Sequence, residues 1–147
     1  MATFSRWAVF ASTTGTPARF ERVAAGTAAF DVPASPPRLA GEPEGASTPE
    51  ELLAASHATC FGIGLRSLIQ LRGGEARRIT VKATITAEKG PGGIRIQASH
   101  LQAQVEGLRG IAPGGLAELA EATERGCTIS NALRGAVHIT HAVEEVV

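Results

Sequence analysis

Thr48-Pro49-Glu50-Glu51-Leu52-Leu53-Ala54-Ala55-Ser56-His57-Ala58-Thr59-Cys60-Phe61 is the stretch on which the reading of the fold turns. Thr48 is an N-cap residue, Pro49 presets the first helical φ, and Glu51 sits where its carboxylate can reach back to the cap N–H. The two carboxylates suit the positive end of the helix dipole. The predicted helix runs from about residue 49 to about 71 and stops before Gly73-Gly74. Its middle, from Leu52 to Leu65, is 14 residues without a formal charge. A membrane span needs about 20 apolar residues, so the expectation is a buried helix with no membrane role. With apolar or small residues nearly all round, the helix is expected to lie inside the protein, Cys60 with it.

On the C-terminal side, Ile79, Val81, Ala83, Ile85 and Ala87 alternate with polar residues, the period of a strand with one wet face. Lys89-Gly90-Pro91-Gly92-Gly93 is a turn, after which Ile94, Ile96 and Ala98 alternate again. The phase then shifts at Ser99-His100 to Leu101, Ala103 and Val105, which predicts a bulge in a long antiparallel hairpin. A second helix is expected from about Pro113 to Arg125, capped by Gly126, with Cys127 next in line. Thr128 to Arg134 reads as a further helical turn ending at Gly135, and Val137 to Val146 as a closing strand. On the N-terminal side, Phe4–Phe10 and Arg19–Phe30 read as strands around a Ser12–Pro17 turn. The Pro- and Gly-rich residues 33–48 read as an ordered functional loop. The fold expected is α+β, an antiparallel sheet around a central buried helix with a second helix beside it. One domain spans residues 1–147. One sheet in so short a chain cannot wrap that helix fully, so a second subunit is expected to supply cover in a symmetric dimer.

Composition narrows the function. With 44% hydrophobic and 19% charged residues the chain is globular, and 14 basic residues balance 14 acidic ones. Zero net charge argues against a nucleic-acid partner bound by bulk electrostatics. The N-terminus has no basic segment followed by an apolar one, so no secretory signal is expected and the compartment inferred is the cytoplasm. There, Cys60 and Cys127 are inert core thiols, metal ligands or redox groups. Three readings stay open on the residues alone. Cys60, Cys127 and His57 could bind a metal with one open position. The cysteines could merely pack in a non-catalytic module that holds an apolar ligand. Or they carry redox chemistry.

The residues at 48–61 and a second segment, Gly126-Cys127-Thr128-Ile129-Ser130-Asn131-Ala132-Leu133, resemble the osmotically induced and organic hydroperoxide resistance (OsmC/Ohr) family. The first matches a pattern close to N-P-E-E-L-x-x-A-x-x-A-C-F, the second C-P-x-S-x-x-L, and the hairpin between them suits the family layout. The resemblance covers residues 38–147 well and the first 37 loosely. It implies an intertwined homodimer and a thiol-dependent peroxidase that reduces organic hydroperoxides, and hydrogen peroxide less well, without a cofactor. It also implies an external dithiol reductant of lipoyl type. Cys60 matches the peroxidatic and Cys127 the resolving cysteine, which implies a Cys60–Cys127 disulfide in the cycle. Glu50 matches the family carboxylate and Arg38 the loop arginine, with Arg19 the alternative from the hydroperoxide resistance branch. Thr128 stands where the family has Pro.

The chemistry fits these residue types. A thiolate attacks the peroxide oxygen, and burial disfavours a charged sulfur, so Cys60 needs a cation. Arg38 is the expected partner, and Glu50 the anion that a buried Arg requires. Ten residues of helix advance about 15 Å, so Glu50 and Cys60 of one chain are too far apart to touch. The reading preferred is that Glu50 serves the Cys60 of the other subunit. Glu51 is read as a capping residue alone. His57, one turn before Cys60, is read as a packed helix histidine. His138 and His141 are expected on opposite faces of a strand.

Overall fold

The computed structural model describes residues 2–5, 22–24, 31–33 and 47–147. Their elements run β1 (Ala2–Ser5), β2 (Arg22–Ala24), β3 (Asp31–Pro33), α1 (Pro49–Leu71), β4 (Arg78–Gly90), β5 (Gly93–Glu106), α2 (Gly115–Gly126), α3 (Thr128–Leu133) and β6 (His138–Val146). The Ser12–Pro17 turn, Trp7, Leu39, Arg19 and Arg38 lie outside the described residues, as does most of the 33–48 loop. The fold is α+β: a four-stranded sheet in the order β1-β4-β5-β6, a two-stranded sheet of β2 and β3, and helices packed on the larger sheet.

The start of α1 is built as its sequence dictates. Thr48 Oγ1 accepts from the Glu51 N–H at 3.2 Å, and the Thr48 N–H donates to Glu51 Oε2 at 2.7 Å. Thr48 is fully buried and Glu51 half-buried, so both bonds are partly shielded from water. Thr48→Ala is expected to lower stability by about 1–2 kcal/mol. The urea midpoint checks this, with Thr48→Ser restoring most of the loss. At the other end Gly73 takes φ 78°, a left-handed conformation that ends the helix without a Cβ penalty.

The inner face of the sheet and one face of α1 make the core. Ile79, Val81, Ala83, Ile85 and Ala87 of β4 are buried, as are Leu101, Ala103 and Val105 of β5. Against them pack Ala54, Ala58, Phe61, Leu65 and Ile69, spaced three or four apart along α1. Helix α2 adds Leu119 and Ala120. It approaches α1 at Gly64, where an added Cβ would meet Thr123 Cγ2 at 3.1 Å.

Three expectations need correction. First, α1 is not buried all round: Ser56, Thr59, Ile63, Ser67 and Gln70 form an exposed stripe, with Ile63 54% exposed. This chain alone supplies nothing to cover that face among the described residues. By length and composition the 23-residue α1 also qualifies as a membrane span, although five of its apolar side chains are spent on the core. Second, β6 pairs with β5 in parallel, Ala98 opposite His138 through Glu106 opposite Val146, so the sheet is not wholly antiparallel. The α2–α3 segment between them returns the chain to the starting end, as a parallel pair requires. Third, the bulge falls at Gln97, two residues before the expected place: Thr86 pairs with Ala98 but Ala87 with Ile96. The extra residue lets Ile96 and Ser99 both face inward, opposite Ala87 and Ile85. The second helix starts at Gly115, after Gly114 at φ 81° and without a side-chain cap.

Candidate functional site

Cys60 lies on α1 in its fourth turn and is half-buried. Cys127 occupies the single extended residue between α2 and α3, and is 4% exposed. Its Sγ caps α3, accepting from the Ser130 N–H at 3.4 Å. The helix begins at Thr128 without the proline of the family pattern, because this thiol cap and the Asn131 N–H bond to the Cys127 carbonyl at 2.9 Å hold its first turn. The fold brings the two cysteines together, close enough for Cys60 to shift the Cys127 thiol, and both are free thiols. Burial pushes the Cys127 thiol up from its ordinary value, the neighbouring Cys60 adds to this, and Ser130 opposes it. Cys127 therefore keeps its proton at neutral pH.

Beside this pair lies an arrangement that sequence reasoning did not assemble. His57 is fully buried, and both ring nitrogens are engaged: Nδ1 with Ser99 Oγ at 2.7 Å and Nε2 with Ser130 Oγ at 2.8 Å. Ser99 and Ser130 are themselves fully buried. Three elements thus converge: α1 gives His57, β5 gives Ser99 through the bulge at Gln97, and α3 gives Ser130 one turn after Cys127. The available signal was Ser99, a polar residue in the inward phase set by Leu101, Ala103 and Val105. The metal reading of Cys60, Cys127 and His57 gains no support from this geometry. Hydroxyls occupy both His57 nitrogens, and among the described residues no three His, Cys, Asp or Glu side chains are grouped to hold an ion.

Burial drives the His57 pKa below its ordinary 6.5, partly offset by the nearby Glu124 carboxylate. Between 6.5 and that lower native value the unfolded chain binds a proton that the folded chain does not. The stability that neutral His57 contributes is therefore complete above the ordinary value and lost as pH falls through the native one. Urea midpoints from about pH 8 to about pH 5 are expected to fall for the wild type and to fall less for His57→Gln. Equal slopes would contradict this.

Glu124 is 8% exposed and lies 2.9 Å from Arg134 Nη2, an approach that lacks hydrogen-bond angles. Glu50 stands in the first turn of α1, half-buried, and its Oε2 is buried without a hydrogen-bond partner among the described residues. With α1 continuous from Pro49 to Leu71, about 15 Å of helix separates Glu50 from Cys60. His141 lies on the same side of β6 as Phe61, their rings 6.1 Å apart, while His138 is exposed.

Comparison with known proteins gives the family and the fold. The family model described as OsmC-like protein matches residues 41–142, which include α1, the hairpin, α2, α3 and both cysteines. An organic hydroperoxide resistance protein from Elizabethkingia anophelis has TM-score 0.72 at 23% identity, covering 95% of this chain and 97% of that one. A protein from Legionella pneumophila described as organic hydroperoxide resistance protein OsmC gives 0.70 at 21%, covering 98% and 97%. OhrB of Bacillus subtilis gives 0.66 at 23%, covering 92% and 98%. At these identities the likeness is one of fold. No curated protein matches in sequence. Since the family match takes in most of the chain and both cysteine segments, this chain belongs to the OsmC-like family.

Proposed function

We propose that the protein is a thiol-dependent peroxidase that reduces organic hydroperoxides to alcohols, and hydrogen peroxide less well. The observation that carries this reading is the Cys60–Cys127 contact, a half-buried sulfur beside a buried one that keeps its proton. In the first step the Cys60 thiolate attacks the terminal peroxide oxygen; the O–O bond breaks, the alcohol leaves and Cys60 becomes a sulfenic acid. In the second, Cys127 displaces the sulfenic oxygen as water and an S–S bond forms. An external dithiol, of lipoyl type by family resemblance, then reduces the disulfide by exchange.

Arg38 is assigned to hold the Cys60 thiolate and orient the peroxide, with Arg19 the alternative, and Glu50 to anchor that guanidinium. The Glu50 Oε2, buried without a hydrogen-bond partner among the described residues, supports a role for Glu50 toward a cation. We assign the working form as a homodimer, the second copy covering the exposed α1 stripe and sharing Glu50 across the interface. Ile63, three residues after Cys60 along α1 and 54% exposed, favours hydroperoxides bearing carbon chains.

The test is intact-mass analysis after one equivalent of tert-butyl hydroperoxide. The wild type is expected to lose two hydrogens, and Cys127→Ser to gain one oxygen. A wild type that stays fully reduced defeats the proposal.

A further inference from the structure

The peroxidase cycle leaves one demand unmet. Cys127 keeps its proton until Cys60 is oxidised, yet it must lose that proton to attack. Solvent is poorly placed to take it, because Cys127 and Ser130 are buried. The residue next to Cys127 in hydrogen-bond terms is Ser130, whose N–H donates to the sulfur at 3.4 Å and whose hydroxyl lies near enough to influence the thiol proton. The residue next to Ser130 is His57, at 2.8 Å.

We propose that His57 takes the Cys127 proton through the Ser130 hydroxyl as Cys127 attacks the Cys60 sulfenic acid. The inference rests on the peroxidase reading above. The steps balance without a further reactant. The Cys127 S–H proton moves to Ser130 Oγ while the Ser130 hydroxyl proton moves to His57 Nε2. The Cys127 electron pair forms the S–S bond, and the Cys60 S–O bond breaks with its electrons on oxygen. That oxygen leaves as water once it has taken up a proton, and the imidazolium gives its own back. The net change is one S–H and one S–O bond lost, one S–S bond and one water gained.

The surroundings of His57 suit this task. For Nε2 to accept, the ring proton must sit on Nδ1, and Ser99 Oγ at 2.7 Å is there to receive it. The Ser99 hydroxyl accommodates the tautomer that can act as a base. Burial keeps the ring neutral at physiological pH, so it is ready to accept. Glu124, on α2, favours the charged ring when it forms. The titratable and charged groups around His57 are Glu124 of α2 with its partner Arg134 beyond α3, Cys127 ahead of α3, and Cys60 on its own helix. From β5 comes only the Ser99 hydroxyl; His100 bonds instead to Thr140 of β6 at 2.6 Å. A merely structural His57 would need two hydrogen bonds, but would have no reason to meet the resolving sulfur through one hydroxyl.

The experiment follows both half-reactions by rapid quench and intact mass, with tert-butyl hydroperoxide on the pre-reduced full chain. A wild type in which Cys60 is never oxidised defeats the peroxidase reading, and this inference with it. Given oxidation of Cys60, Ser130→Ala and His57→Gln are each expected to accumulate the sulfenic acid and form the disulfide about a hundredfold more slowly. The double variant should be no slower than either single one, and Ser130→Thr, which keeps the hydroxyl, should restore the rate. In the wild type the disulfide step should slow as pH falls below the ordinary histidine value, and in His57→Gln that dependence should vanish. If His57→Gln does not fold, Ser130→Ala, its Thr rescue and the wild-type pH profile decide. Disulfide formation at the wild-type rate in Ser130→Ala overturns the proposal, as does a wild-type step indifferent to pH.

Discussion

Cys60→Ser is expected to stop hydroperoxide reduction, by a factor on the order of a thousand or more, with the fold intact. The size of the effect follows from the chemistry. Sulfur can take an oxygen atom and release it again to a thiol; a serine oxygen cannot. The hydroxyl is also far harder to ionise than a thiol, so the variant lacks both the nucleophile and the redox atom. Because Cys60 is half-buried and differs from serine by one atom, melting should change little. Disappearance of tert-butyl hydroperoxide with a dithiol in excess is the measurement. Cys127→Ser marks the contrast, since without added dithiol it should complete one round of peroxide reduction and hold the sulfenic acid. A wild type without turnover, whose ligand binding is unchanged in Cys60→Ser, would favour the second reading of the sequence, an apolar-ligand-binding module in which the cysteines only pack.

What the chain disclosed in advance divides along local and non-local lines. The α1 boundaries were legible because a capping box, an N1 proline and a terminal Gly-Gly act within a few residues. The hairpin was legible for the same reason, its turn and its period of two being contiguous. The parallel pairing of β6 was not, because Val143 and its neighbours alternate equally well beside either face of a strand. Only the length of the α2–α3 crossover fixes the direction. The site shows the same division. Cys60 and Cys127 could be matched to motifs, but their proximity joins α1 to the α2–α3 junction across 67 residues of sequence.

The cluster around His57 was the least visible part. Its assembly depends on a single inserted residue: without the bulge at Gln97, Ser99 and Ile96 could not both face inward. The alternation in the sequence put that shift two positions later, and a displacement of this size exchanges inside for outside. Ser130 was hidden differently. It stands one helical turn after Cys127 in a segment so short that no periodicity defines its face. His57 could be read as packed, which it is, but the reading had no means to name the two hydroxyls that hold it.

The largest loss of stability is expected at Phe61, the residue after the proposed nucleophile. Phe61 is fully buried in the cluster that joins α1 to β4 and β5, and its ring lies against His141 of β6. Phe61→Ala removes that ring from a close-packed interior and leaves a cavity that the sheet cannot collapse to fill, because Ala83, Ile85 and Leu101 are fixed by strand pairing. The expected cost is about 3–5 kcal/mol. For a chain of this size that corresponds to a melting point lower by roughly 10 °C or more, at one protein concentration throughout. Phe61→Leu refills most of the volume and should recover about half of the loss or more. The position also tests the link from core to chemistry. Cys60 is carried by the turn that Phe61 anchors, so a native-like population of Phe61→Ala should react with hydroperoxide more slowly even where it remains folded. A cost below about 1 kcal/mol would mean that α1 is not the central helix of the core, and the positioning of Cys60 against Cys127 would lose its foundation.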